Sequence, residues 1–371
     1  MKILAINWLD WRNPQAGGAE VHLQEILSRI IRRDGNQITL LCCSFKGAPK
    51  EEVLDGIRII RCGSRYTFNI VLPFVLRSLL REEQYDMVIE DINKIPFFTT
   101  LLHNLPLLVI VPHLFATTVF REINFVLGLY IYLSEKPIPY IYRNRKFMVI
   151  SESTKRDLVK RGIKSENISI VKCGIDHDLY RPNLAKYSSP TAMYVGRIRK
   201  YKSIQHLILA LRLVLKRIPD ARLMIVGNGD YLPNLKRLTK RLNLKEKIEF
   251  AGHVSQQEKV ERLQKSDVVV CPSLKEGWGL TNIEANACGT PVVASDVPGL
   301  RDSVVNGETG LLFRYGDIAD LADKIVDILS NQQLQARLVQ GGLKWAGNYS
   351  WDKSANETLE LIELIIEKDG G

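Results

Sequence analysis

The stretch KILAINWLDWRNPQAGGAEVHLQEILSRIIRRDGNQITLLCCS, residues 2 to 44, sets two short apolar runs on either side of a helix-period segment. The first run, KILAINWL, leads into a glycine-containing loop. The segment AEVHLQEILSRII that follows places Leu23, Leu27, Ile30 and Ile31 on one face before Gly35 stops it. QITLLCCS is strand-like again, so the stretch reads as one βαβ unit, whose two strands run parallel. The pattern repeats outward. Further strands are expected at YDMVIED (from 85), LPLLVIVPH (from 105), FMVIS (from 147) and ISIVKCG (from 168), which complete one sheet.

A turn-rich polar stretch, HDLYRPNLAKYSSP at 177–190, breaks this rhythm. A second series then begins with TAMYVGRI and continues through ARLMIVGNGD, KIEFAGHV, DVVVCPS and TPVVASD, each followed by a helix-like segment. The expected organisation is a first domain at 1–176, a linker at 177–190 and a second domain at 191–352, with an amphipathic helix at 353–371 crossing back onto the first. The fold class is α/β, with two doubly wound Rossmann-like domains facing a central cleft, where the carboxyl ends of the strands hold ligands.

Composition agrees with this reading. The chain has 371 residues, 46% of them hydrophobic and 25% charged, which suits two soluble domains. Its longest apolar runs fall short of the ~20 residues of a membrane span. The start reads as a strand rather than a signal peptide, so a cytoplasmic location is expected. The six cysteines show no C-x-x-C spacing and are expected as packed thiols rather than disulfide or zinc ligands. The net charge of +10 would suit nucleic acid, phosphorylated small molecules or an anionic membrane surface. Residues 136–172 concentrate it, with ten Lys or Arg against three Asp or Glu. No zinc-finger, ribonucleoprotein or helix-turn-helix signature is present, so nucleic acid is not an expected partner.

Three strand-to-helix loops carry residue types suited to chemistry. In NPQAGGAE (13–20), Gly17 and Gly18 lie where N–H groups at a helix start can take an anion such as phosphate; the alternative is a flexible turn. This loop is neither G-x-G-x-x-G nor a P-loop, which argues against nicotinamide-cofactor and NTPase readings. In VGRIRKYKS (195–203), Arg197 and Lys202 combine a planar fork with a mobile point charge, a pairing that suits a diphosphate unless both are merely solvated.

The third loop, LKEGWGLTNIEANACGTPVVAS (274–295), holds Glu276 and Glu284. On one continuous helix their carboxylates would lie ~12 Å apart, beyond the ~5 to 9.5 Å of hydrolytic carboxyl pairs. Gly277 and Gly279 instead put Glu276 in the loop after DVVVCPS, where it can accept from sugar hydroxyls. TNIE reads as a capping box, with Thr281 as the cap and Glu284 at the third helical position; alternatively Glu284 accepts from ribose hydroxyls. Free N–H groups around Leu280, Thr281 and Asn282, just after Gly279, can receive phosphates between the two carboxylates.

Taken together, these motifs make the chain resemble the retaining glycosyltransferases of family 4, which have the GT-B fold of two Rossmann-like domains. The resemblance covers nearly the whole chain. It rests on GGAE after the first strand, VGRIRKYKS, IVGNGD, FAGHV and PSLKEGWGLTNIEANACGTPVVASDVPGLRDSVVNGETGLL, which matches the family's E-x7-E motif and its flanks. Two departures concern geometry: Cys173-Gly174-Ile175-Asp176 replaces the usual Asn-Gly-Val-Asp, and VGNGD lacks the common proline after its second glycine. The resemblance implies that Arg197 and Lys202 bind the donor diphosphate, that Glu276 contacts the transferred sugar and that Glu284 holds the ribose. It also implies that His113, which otherwise reads as a structural residue after an apolar strand, lies near the donor sugar. Loops around Asn228 and His253 would meet the base.

The expected activity is retaining transfer of a sugar from a nucleotide-diphosphate sugar, UDP- or GDP-linked, to a carbohydrate or lipid-linked acceptor hydroxyl, with no cofactor and no metal. The alternatives are a nucleotide-sugar epimerase of the same fold and a catalytically silent binding subunit. The segment NFVLGLYIYLSEKPIPYIYRNRKF (124–147), followed by Lys155, Arg156, Lys160 and Arg161, suits peripheral attachment to an anionic membrane surface at the inner face of the cytoplasmic membrane. The alternative is a core helix with a solvated basic turn, since Pro137 and Pro139 prevent one continuous amphipathic helix.

Overall fold

The computed structural model describes residues 1–33, 35–121, 124–183 and 185–369. Contacts divide the chain into two units, Met1–Gly174 with the segment from Trp351 onward, and Ile175–Ser350. The first unit contains β1 (Lys2–Ile6), β2 (Gln37–Cys43), β3 (Glu51–Leu54), β4 (Ile57–Cys62), β5 (Met87–Asp91), β6 (Leu107–Val111), β7 (Lys146–Val149) and β8 (Ile168–Ile170). They form one sheet in the order β3-β4-β2-β1-β5-β6-β7-β8, parallel except for the β3–β4 pair. Its central strands are apolar on both faces because both are covered. Leu4, Ile6, Val88 and Val109 pack on one side with Phe68, Leu72 and Leu76 of the helix Phe68–Glu82. Ile3, Ala5, Met87 and Ile89 pack on the other with Leu23, Ile26, Leu27 and Ile30 of the helix Gly18–Ile31.

The C-terminal helix Trp351–Asp369 joins this second face through Ala355, Leu359, Ile362 and Ile365. Arg29 bonds Asp352 at 2.8 Å and the Ser354 hydroxyl donates to Lys172 O at 2.6 Å. Of the expected helix 353–371, Gly370 and Gly371 lie outside the described residues, as does Leu184 of the expected linker. The linker stretch is part of the second unit: the Lys186 ammonium donates to Gln264 O and Ser266 O at 2.9 and 2.8 Å.

The second unit contains β9 (Thr191–Val195), β10 (Arg222–Val226), β11 (Ile248–Gly252), β12 (Val268–Cys271), β13 (Val292–Ser295) and β14 (Gly310–Phe313). All run parallel in the order β11-β10-β9-β12-β13-β14. Each unit is thus a doubly wound α/β sheet. All six cysteines are free, and no helix among the described residues is long and apolar enough to cross a membrane.

One feature departs from the sequence expectations. The hairpin β3–β4 was not among the expected strands, although its Asp55-Gly56 turn, with φ of 52° and 84°, has the two positive angles that such a tight turn requires. The basic residues that close the segment 124–147 differ in exposure. Arg143 is exposed, but Arg145 Nε donates to Thr100 Oγ1 at 2.9 Å and Lys146 Nζ donates to Glu166 O and Asn167 Oδ1 at 3.0 and 3.1 Å, because these side chains hold the end of the sheet together.

Candidate active site

The carboxyl ends of β9, β10 and β11 are joined by backbone contacts that only glycine allows. A Cβ on Gly227 would stand 1.9 Å from Gly196 O, and one on Gly229 would stand 2.1 Å from Ile198 O. With those side chains absent, Ile198 N donates to Asn228 O at 2.8 Å, Gly196 N to Val226 O at 3.0 Å and Gly227 N to Gly252 O at 2.7 Å. The buried Tyr194 hydroxyl reaches under this platform and donates to Arg197 O at 3.0 Å. Arg197, Asn228 and His253 all sit exposed on it, so the structure gathers them at one edge of the second sheet.

Lys202 lies at the end of the same β9 loop, just before the helix Ile204–Arg217, and its ammonium pairs with the Glu276 carboxylate. The two side chains are only 15% and 16% exposed. They meet because β9 lies beside β12 and because Leu274 N donates to Tyr201 O at 2.9 Å, which seats the Glu276 loop on the Lys202 turn. Gly299 packs on the other side of that loop, where a Cβ would come within 2.1 Å of Glu276 O. Burial by itself would lower the pKa of Lys202, but the Glu276 charge outweighs it and holds the ammonium protonated. The neighbouring Cys271 thiol is pushed up to about 12 by burial and by Glu276, so it stays neutral.

The capping box expected at Thr281 does not form. The helix Leu280–Ala287 is capped by Gly279, whose φ of 84° turns the chain two residues before Thr281. A Cβ on Gly279 would lie 2.8 Å from Leu300 Cδ2 and 2.9 Å from Asn282 Nδ2. Glu284 therefore falls past the capping position and onto the buried face. Its Oε1 accepts from the Tyr180 hydroxyl at 2.7 Å and from Lys259 Nζ at 2.6 Å, while Gln256 Nε2 donates to Tyr180 at 2.7 Å. The expected free N–H of Asn282 also has a partner, Gly279 O at 2.8 Å. Leu280 and Thr281 remain as the first-turn donors that helix geometry leaves without an intrahelical acceptor.

In the first unit, the Gly17 N–H expected to face an anion instead donates to Glu20 Oε2 at 2.7 Å, because Glu20 occupies the third position of the helix that Gly17 caps. Glu20 Oε1 accepts from Asn93 at 2.9 Å. Gly18 has open space where a Cβ would stand. His113 follows β6, half-buried, with its ring edge-on to Phe115 at 5.1 Å. Its loop is fixed by Thr154 Oγ1 donating to Pro112 O at 3.0 Å.

Residues 16–179 match the family described as Glycosyltransferase Family 4, and residues 176–345 match the one described as Glycosyl transferases group 1. The structure is similar to sucrose-phosphate synthase from Thermosynechococcus elongatus, with a TM-score of 0.83 and 22% identity over 99% of each chain. The two family matches together run from residue 16 to residue 345, and the fold is that of the GT-B glycosyltransferases. A second solved structure, Anabaena Alr3699/HepE in complex with UDP-glucose, has a TM-score of 0.78 and 17% identity, covering 98% of this chain and 99% of that one. Among curated relatives, the phosphatidyl-myo-inositol mannosyltransferase of Mycobacterium leprae is 34% identical over 188 residues, half of each chain. The chain spans about half the length of the curated relatives it matches at 30% identity or more.

The structure also brings forward residues that sequence reasoning did not single out. Tyr180 and Lys259 come from the expected linker and from an ordinary polar helix, and nothing local marks them as partners of Glu284. Asp91, at the end of β5, is fully buried, and neither carboxylate oxygen has a hydrogen-bond partner among the described residues. Burial, then Glu20 and Glu90, raise its pKa well above the usual carboxylate range, against the opposing charge of Lys94. A raised carboxyl binds a proton in the folded state that the unfolded chain has already released. Stability from Asp91 is thus present below about pH 4 and is lost as pH rises toward the folded pKa, by up to about 1.4 kcal/mol per pH unit. Asp91→Asn should flatten this slope in urea unfolding followed from pH 5 to pH 8. Equal slopes for variant and parent would show that Asp91 is not buried in its acid form.

Proposed function

We propose that this protein transfers a sugar from a nucleotide-diphosphate sugar to an acceptor hydroxyl, with retention of anomeric configuration and without a metal ion. The observation that carries this reading is the half-buried Lys202–Glu276 pair in the loops that follow β9 and β12. Arg197 lies on the Lys202 loop, and the Leu280 and Thr281 N–H groups lie at the end of the Glu276 loop. In the reaction the bond between the anomeric carbon and the diphosphate oxygen breaks, and negative charge develops on that oxygen. Lys202, Arg197 and the two N–H groups neutralise it from fixed positions. The leaving oxygen then takes the acceptor's proton on the same face, so no side chain has to act as a strong base. When the diphosphate engages Lys202, the Glu276 carboxylate becomes available to accept from a sugar hydroxyl. Glu284, held by Tyr180 and Lys259, accepts from the ribose in this reading, while Asn228 and His253 flank the base.

The donor is a UDP or GDP sugar, and the acceptor is a carbohydrate or lipid-linked glycan. The HepE complex with UDP-glucose supports the first arm, and the lipid acceptor named for the Mycobacterium leprae relative supports the second. The described residues contain no group of three or more His, Cys, Asp or Glu side chains that could hold a metal.

A thermal-shift screen of UDP, GDP and ADP sugars identifies the donor, since a ligand that binds only the folded chain raises its melting temperature. With that donor, chelation by EDTA should change the rate by less than about twofold. Abolition by EDTA and recovery with magnesium or manganese would overturn the metal-free scheme. An inverted anomer in the product would overturn retention, and epimerised donor without any acceptor would overturn transfer itself.

A further inference from the structure

The helix Phe125–Glu135 presents an apolar surface to solvent. Phe125, Val126, Leu127, Leu129, Tyr130 and Leu133 are between 38% and 76% exposed, whereas its buried residues are Gly128 and Glu135. Those two hold it in place. Gly128 packs so closely on Phe120 that a Cβ would stand 3.0 Å from its ring, and Glu135 accepts from Phe115 N and Ala116 N at 2.6 and 3.0 Å. A surface helix ordinarily turns its apolar stripe to the core; this one turns it outward.

The helix Phe68–Glu82 continues the surface. Asn69 Nδ2 donates to Tyr130 Oη at 2.6 Å, and Ile70 and Phe74, one turn apart, are 63% and 70% exposed. The same stripe runs on, at helical spacing, to exposed Arg77 and Arg81, and the other helix ends at exposed Lys136. Tyr66 and Tyr140, 78% and 81% exposed, lie near the ends of these elements.

We propose that this face seats the protein on an anionic lipid surface, with Phe125, Val126, Leu129, Ile70 and Phe74 entering the headgroup boundary and Arg77, Arg81 and Lys136 meeting the phosphates. The chemistry selects that occupant. An apolar plateau with tyrosines and basic residues at its margins matches the layered order of a membrane interface. A second copy seated on the same face would bring these cations opposite their own kind. The helix of 11 residues is too short to span and lies in the interface plane. The inference does not depend on the transfer reaction, and its test needs no sugar donor.

Flotation with vesicles of phosphatidylcholine alone, or with phosphatidylglycerol added, reads the effect directly. Binding should appear with the anionic vesicles and weaken between low and high salt. Phe74→Asp with Val126→Asp should reduce it at least about tenfold, and Arg77→Gln with Arg81→Gln and Lys136→Gln should remove the preference for anionic lipid. Both sets lie on exposed positions, and unchanged melting temperatures confirm that the variants fold. Indifference to both vesicle types at low salt would overturn the proposal. So would anionic binding untouched by either set, or a dimer in sedimentation that the Asp pair dissolves while lipid binding is absent.

Discussion

Glu276→Gln is expected to lower turnover by about 10² to 10³-fold while changing donor binding only a few-fold. The Glu276 carboxylate is the partner of a half-buried ammonium and lies between the diphosphate-binding loop and the helix start at Leu280. Glutamine keeps the shape but removes the charge that holds Lys202 in place. Glu284→Ala should act differently. It leaves Tyr180 and Lys259 without their acceptor at the far end of the same helix, so it should raise KM for the donor more than it lowers kcat. Lys202→Met combined with Glu276→Gln separates structure from chemistry. Each single change strands one member of a half-buried pair, whereas the double change strands neither, so it should cost less stability than the two singles together while activity stays lost. Full turnover in Glu276→Gln would sink the assignment of the site.

Arg61→Met is expected to destabilise the first unit by about 3 to 5 kcal/mol. Arg61 and Asp10 are both fully buried, with Arg61 Nε on Asp10 Oδ2 at 2.7 Å and Nη1 on Glu52 Oε1 at 2.6 Å. Nη1 also donates to Pro49 O at 3.1 Å, and Cys42 Sγ donates to Asp10 at 3.5 Å. The guanidinium thus ties β4 to the loop after β1 and to β3. Methionine fills much of the volume but leaves Asp10 as an uncompensated buried charge. A lower melting temperature follows, by about 2 to 4 °C for each kcal/mol lost in a unit of this size. Arg61→Lys should recover only part, because lysine keeps the charge and loses the fork. An unchanged melting temperature for Arg61→Met would show that this network contributes nothing to the fold.

Much of the site was legible because it lies in strand-to-helix loops, and those loops are local in the chain. Periodicity alone marked the βαβ units, and Gly277 and Gly279 in LKEGWGL marked Glu276 as a loop residue rather than a helical one, which is where the structure has it. The capping box was misread for an equally local reason. TNIE fits the box pattern, but Gly279 can adopt a positive φ and starts the helix first. The Gly17 N–H was read as open to an anion, but Glu20, three residues on, takes it in a capping box.

The sequence by itself determined the alternation of strand and helix, two sheets in tandem, and the short list of residues at the strand ends. These follow from side-chain periodicity and turn chemistry, which act over a few residues. Partnership needed the tertiary structure. Lys202 meets Glu276 across 74 positions, and Tyr180 meets Glu284 across 104, because the strand order sets β12 beside β9 and the stretch after β8 folds onto the second unit. Exposure was decided in the same way. FVLGLYIYL reads equally well as core or as surface, since burial depends on what packs opposite, and here only Gly128 and Glu135 of that helix are buried, leaving six large apolar side chains facing outward.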